Sequence, residues 1–306
     1  MNTPIPWLGH LIEVASLGLF GWCWAEARRL RAGLHTELLI AVLYGCLLEI
    51  MDMWIFGSYH YGPLTWWWVG HVPLYIPLLW ATIIHSSMAM SDRAGLPWWA
   101  RPFLDGLLAV LIDLAIDAIA IRLGLWSWRI RLDEGWFGVP AGNLCAWMWV
   151  AAWYGTVTRL VRERSVQRGE PRWHRLLIPP IAYAGLFASL IGLGTVGRWL
   201  GLETPDERLS IFAAHVAGFL AIVWWGSRRR ASLAVGPTPM PPSFVWNRWL
   251  MHGSFLVLLA CVPAIRQVRG LALVSAGALV IEWCAMRWCE HRRAAVTLAA
   301  DRAAIG

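Results

Sequence analysis

Apolar residues run along this chain in long blocks broken by short polar stretches, and the blocks have the length a helix needs to cross a bilayer, roughly 17 to 25 residues. They fall near 5–27, 38–56, 70–90, 103–124, 139–161, 176–198, 209–226, 249–265 and 270–288. The pattern predicts an all-α, polytopic transmembrane bundle of about nine spans, with about eight to ten as the bounds. The third block opens on Gly70, Pro73 and Pro77, so its helix is expected to be broken or re-entrant at its start. Composition agrees: 58% hydrophobic and 15% charged residues in a chain of 306 are too apolar for a soluble domain, and the mean hydropathy is +0.52. No internal repeat appears, so a repeat-built transporter has no direct support. The first block lacks a positive leader and a clear small-residue cleavage site, and reads as a span rather than a signal peptide.

Charge adds an orientation. All 26 basic residues are arginine, and they cluster after alternate spans: Arg28, Arg29 and Arg31; Arg93 and Arg101; Arg162, Arg164, Arg168 and Arg172; Arg228, Arg229 and Arg230; Arg292 and Arg293. By the positive-inside rule those segments are cytoplasmic, which puts the N-terminus outside and the C-terminus inside. Arg129 with Arg131 and Arg266 with Arg269 lie in short outer connections and run against the count. The net charge of +7 therefore reports topology, and no nucleic-acid partner is read from it. Six cysteines are scattered without a CxxC pair and read as packing residues, predicting neither a disulfide framework nor a zinc site.

The chain divides by chemistry at the arginine-rich segment 159–175. Residues 1–162 contain most of the intramembrane acids, whereas 163–306 read as largely apolar helices of unassigned role. "VGPTPMPP" (235–242) reads as a cytoplasmic linker. "GLGTVG" (192–197) matches GxGxxG, but the nucleotide fingerprint needs a strand-to-helix junction. Here the glycines end an apolar span, and close helix packing is expected instead.

A carboxylate at the middle of a membrane helix costs about 2.5 to 3.5 kcal/mol, so such acids face a protein interior and tend to carry function. Glu49 and Asp52 lie three apart on the second span, and Asp113 and Asp117 lie four apart on the fourth, so each pair shares one helix face. Both spans run outward. At 1.5 Å per residue, Glu49 and Asp113 sit roughly 15 to 17 Å above the cytoplasmic edge and Asp52 and Asp117 near roughly 21 Å. Asn143, near the outer end of the fifth span, falls at a similar depth. The expectation is one outer-half pocket made of Glu49, Asp52, Asp113, Asp117 and Asn143, with Tyr59, Tyr61 and His71 near its mouth. Trp66, Trp67, Trp68, Trp126, Trp128, Trp136 and Trp147 surround it in sequence, some as interfacial anchors and others as cavity walls. Like charges and desolvation both disfavour full ionisation of four such acids, which makes at least one a candidate proton donor. The competing structural role is that protonated acids bridge helices by hydrogen bonds.

Other polar residues read as structural. His10 and Glu13, one turn apart, are expected to pair with each other. His85, Asp105 and Glu282 lie where they reach an interface or pair with arginine. His215 and His252 are isolated and read as packed. No HExxH, P-loop or histidine cluster is present.

The same residues carry a resemblance. Glu49, "FGSYHYG" (56–62), "VPLYIPLLW" (72–80, ending on Trp80), "DLAID" (113–117), "GLWSW" (124–128, with Trp126 and Trp128) and "GVPAGNLCAW" (138–147, with Asn143 and Trp147) occur in an order that resembles the carotenoid hydratase family, over about residues 45–150. That family's members are prokaryotic membrane enzymes that hydrate γ-carotene or bisanhydrobacterioruberin. Asp52 and the "NLCAW" ending depart from the family pattern. The resemblance implies an integral protein of the prokaryotic inner membrane and a carotenoid or other polyprenyl lipid as partner. It further implies water addition to a terminal isoprene double bond, without redox change and without cofactor or metal. It puts Asp113, Asp117, Glu49 and Asn143 in the chemistry, with Tyr59, Tyr61, Trp80, Trp126, Trp128 and Trp147 around the substrate, where position in the pocket adds Asp52 and His71. Two alternatives stay open. One is a non-enzymatic pigment- or lipid-binding subunit of a larger complex, suggested by 24 tryptophans. The other is an intramembrane prenyltransferase, which also uses DxxxD but needs Mg²⁺ and a basic mouth.

Overall fold

A computed structural model describes residues 6–30, 33–168, 172–229, 239–262, 265, 268 and 270–305. Among them are nine α-helices: α1 (Pro6–Leu30), α2 (Leu34–Ile55), α3 (Tyr75–Ser91), α4 (Arg101–Ala120), α5 (Ala141–Arg168), α6 (Ile178–Trp199), α7 (Leu209–Ser227), α8 (Pro242–Cys261) and α9 (Leu271–Ile305). Their starts carry the expected chemistry. Proline stands in the first positions of α4, α6 and α8, where its missing N–H would have had no partner anyway.

The helices form two groups. Every residue of α3 but Leu79 is buried, and every residue of α4 but Phe103, Leu107 and Leu114. In α6 only Ile178, Pro179, Ala182, Leu186 and Gly197 are buried. Around α4 pack α3, α5, α7, α8 and α9, and around α3 pack α1, α2, α4 and α8. Five described helical stretches are long and apolar enough to cross a membrane: Trp7–Leu30, Leu34–Ile55, Trp173–Trp199, Leu209–Ser227 and Leu271–Leu298. The central helices fall short for a physical reason. α3 has 17 residues and α4 carries Arg101, Asp105, Asp113 and Asp117. Neighbouring helices, rather than solvent or lipid, surround them, so their composition need not be apolar throughout.

Two short ribbons finish the end of the bundle where α2 and α4 stop. β1 (Tyr59–Tyr61) follows α2, and β4 (Trp126–Trp128) follows α4 after a 3₁₀ turn (Ile121–Leu123). They pair antiparallel, with Tyr59 opposite Trp128 and Tyr61 opposite Trp126. Gly124 turns the chain at φ 75°, and Gly62 lies so close to the Gly124 carbonyl that a Cβ there would collide. The second ribbon, β2 (Trp68–Val69) with β3 (Val72–Pro73), precedes α3. The expected break in the third block is therefore a hairpin: residues 70–73 are not helical, because Gly70 takes φ 63° and Pro73 ends a strand.

At the opposite end the arginines answer a different need. Arg159 holds Asp92 (2.7 Å) and Asp105 (2.5 Å), and Arg162 holds Glu37 (2.5 Å) and Asp92 (3.3 Å). Arg93 and Arg101, both buried, donate to the carbonyls of Ala89 and Leu96. Arg93, Arg101 and Arg162, three of the orientation markers, are thus built into the packing.

Three further expectations are corrected. The second half is not apolar throughout its interior, since Arg248 of α8 pairs with Glu282 of α9, both fully buried; Glu282 itself finds an arginine as expected. "GLGTVG" does not bring two helices together along its length: only Gly197 is buried, near Ile211, while Gly192 and Gly194 face outward. His10 and Glu13 do not pair. Glu13 accepts the backbone N–H groups of Trp66 and Trp67, both at 2.9 Å, and His10 stacks on Trp66 at 3.9 Å. Arg31, Arg230, Arg266, Arg269, residues 235–238 and the side chains of Arg168 and Arg172 lie outside the described residues.

Candidate functional site

α2 and α4 deliver their acids to the end closed by the β1–β4 ribbon, and α3 and α5 start there. Between them is a cavity of about 90 Å³, lined mainly by apolar and aromatic side chains and by Glu49, Asp52 and Asp117. Among the described residues, no arginine or histidine lines it.

Glu49 is the most heavily bonded of these acids. Its Oε1 accepts the Trp80 indole N–H at 2.7 Å, and its Oε2 accepts the Tyr59 hydroxyl at 2.6 Å and the Tyr61 hydroxyl as well. Tyr59 and Tyr61 stand two apart on β1, so both reach the same face of the strand. Burial first, and then the Glu49 charge, pushes both phenols well above their ordinary range, which keeps them as O–H donors. Sequence placed these tyrosines near a mouth; they are ligands of the carboxylate itself.

Across the cavity Asp117 accepts from Asn143 Nδ2 at 2.5 Å and from the Trp126 indole N–H. The same Asn143 nitrogen lies 3.2 Å from Asp113. Asp113 does not line the cavity; it sits behind Asp117, with Oδ1 buried and unbonded. Asp52 lines the cavity and its Oδ1 is likewise buried without a hydrogen-bond partner. Two indoles, Trp80 and Trp147, pack at 4.1 Å, and Trp128 packs on Tyr59 at 4.7 Å. The cavity wall thus brings together Glu49, Asp52, Asp117, Asn143, Tyr59, Tyr61, Trp80, Trp126, Trp128 and Trp147.

His71 belongs elsewhere. It sits exposed in the β2–β3 turn and does not line the cavity. Trp66, Trp67 and Trp68 are exposed, and Trp136 donates to the Leu114 carbonyl at 2.8 Å outside the cavity. Sequence reasoning passed over Ile12, Tyr75, Ile83, Val150, Met251 and Phe255, which also belong to the wall. Apolar residues inside apolar blocks give no local signal.

Fold and cavity together define a helical protein of membrane type whose polar centre is an apolar, acid-bearing chamber. Residues 8–202 match the family described as carotenoid biosynthesis protein, and the chain belongs to that family. Its role accordingly lies in carotenoid biosynthesis. The match extends on both sides of residues 45–150 and ends after α6, leaving α7, α8 and α9 beyond it. Compared with the curated proteins and with the solved structures, the chain matches none.

Proposed function

We propose that the chain is a membrane-embedded hydratase that adds water to the terminal isoprene double bond of a linear or monocyclic carotenoid. One observation carries the reading: carboxyl groups from two helices enter a single tryptophan-walled apolar chamber with no cation among its lining residues. Acids placed so serve poorly as structural ion pairs and well as proton carriers.

Asp117 faces the chamber and is the proton donor; Asp113, behind it and sharing the Asn143 amide, is the second member of that pair. The proton passes to C2 of the terminal double bond and leaves a cation at the tertiary C1. The faces of Trp80, Trp126, Trp128 and Trp147 stabilise that charge through their ring quadrupoles. A water held by Glu49, with the free Asp52 oxygen beside it, attacks C1 and gives its proton to the carboxylate. One hydrogen and one hydroxyl are added, no electrons are exchanged, and return of the proton to Asp117 through water completes the turnover. The chemistry belongs to residues 1–162. The chamber lies toward the outside of a prokaryotic inner membrane, and the arginine-rich end lies in the cytoplasm.

The test is expression of the chain with an acyclic or monocyclic carotenoid and mass spectrometry of the extracted pigment. The expected product is one water heavier, and it is absent with Asp117→Asn and with Glu49→Gln. Recovery of every offered polyene unchanged from the wild type would leave a binding protein and end the hydratase reading.

A further inference from the structure

We infer that Met251, as the floor, and Phe255, as the wall above it, read the end of the polyene, admitting an open, branched end and refusing a ring. The inference rests on the hydratase reading of the same chamber. Both residues lie beyond the segment that matches the family, on α8.

Arg248, Met251 and Phe255 recur at intervals of three and four, so they share one face of α8. Arg248 fixes the height of that face. It is fully buried, bonded to Glu282 of α9 at 2.5 and 2.7 Å, to Ser87 at 2.9 Å and to the Leu108 carbonyl of α4 at 2.7 Å. Ser87 stands one turn past Ile83, the last residue of α3 to line the chamber. The ion pair therefore closes the space from below; Met251 lines it about 4.5 Å above Arg248 along α8, and Phe255 lines it about 10.5 Å above.

The depth is short. Trp80, bonded to Glu49, marks the level of the chemistry on α3, and Trp147, packed on Trp80, marks it on α5. Ile83 and Val150 lie three residues further along, about 4.5 Å at 1.5 Å per residue. Less than one helical turn separates the reacting level from the floor. When the terminal double bond lies beside Asp117 and Glu49, only the two methyl groups of an open end project past it. A methylated six-membered ring placed there runs into Met251 below, with Phe255 beside it. The side chain of α9 that secures this arrangement, Glu282, touches no lining residue through a hydrogen bond; its partners are Arg248 and His252.

The experiment measures binding, independently of turnover. Purified full-length protein in phosphatidylcholine vesicles is titrated with an acyclic C40 polyene and with a C40 polyene ringed at both ends, reading tryptophan quenching. The wild type is expected to prefer the acyclic probe. Phe255→Ala and Met251→Ala are expected to narrow that preference at least about tenfold, the scale on which apolar pockets discriminate small groups. Phe255→Leu is expected to fall between. Val257→Ala, on the exposed face of α8, leaves the preference unchanged. A wild type without preference overturns the inference, as does an unchanged ratio in alanine variants that melt like the wild type. If the wild type binds neither probe, the function proposed above falls with it; if the acyclic probe is hydrated while the ratio stays fixed, only the floor is wrong.

Discussion

Two acidic clusters occupy opposite ends of the same four helices. At one end Glu37, Asp92 and Asp105 are met by Arg159 and Arg162; at the other Glu49, Asp113 and Asp117 are met by phenols, indoles and one amide. Residue type and burial are alike, so the partners make the difference. A full opposite charge fixes a carboxylate as an ion and leaves it nothing further to do, and its removal strands a buried charge. Neutral donors orient a carboxyl group while leaving its proton exchangeable. The second cluster opens on a cavity. The first is architecture, and the second is where chemistry fits.

The contrast is easiest to break at its extremes. Asp117→Asn keeps the shape and removes the transferable proton; hydration is expected to fall by roughly 10² to 10⁴, measured as product per mass of protein, while thermal unfolding in detergent stays close to the wild type. Arg159→Met is the converse. It leaves Asp105 uncompensated and Asp92 with Arg162 alone, at a cost of about 3 to 5 kcal/mol, expected as lost monodisperse protein and a lowered melting temperature. If instead Arg159→Met melts normally and Asp117→Asn does not, the assignment of the two clusters is reversed. Adding Asp105→Asn to Arg159→Met sharpens the point: a double-mutant cycle by chemical denaturation should show coupling of about 0.5 to 3 kcal/mol. The smallest effect is expected from Tyr59→Phe or Tyr61→Phe. Each removes one of three donors to Glu49, worth about 1 kcal/mol, and should lower the hydration rate by about fivefold without changing the yield of folded protein.

Much of this was legible in the chain, and the remainder failed for identifiable reasons. The helix positions follow from apolar block length, and the shared level of Glu49 with the Asp113 pair follows from helical rise, since α2 and α4 end at one ribbon. The short strands were not legible because three-residue elements carry too little periodicity. Arg162 looked like a marker of membrane side, yet its partner Glu37 is 125 positions away in the chain. Likewise Arg248 and Glu282 stand 34 apart on different helices, a distance at which no sequence spacing announces a pair. His10 and Glu13 show the opposite failure: local spacing invited a pair, and each found a better partner in the loop at Trp66 and Trp67.

The central place of α4 also constrains how the molecule is made. Released alone among acyl chains, it would expose Asp113 and Asp117 along its inner turns, where a carboxylate costs up to about 2.5 to 3.5 kcal/mol at the bilayer centre. Its biogenesis is therefore cooperative: α4 has to meet α3 and α5 before it is abandoned to lipid, so a nascent chain halted just after Ala120 should be a substrate for quality-control proteolysis rather than a stable fragment.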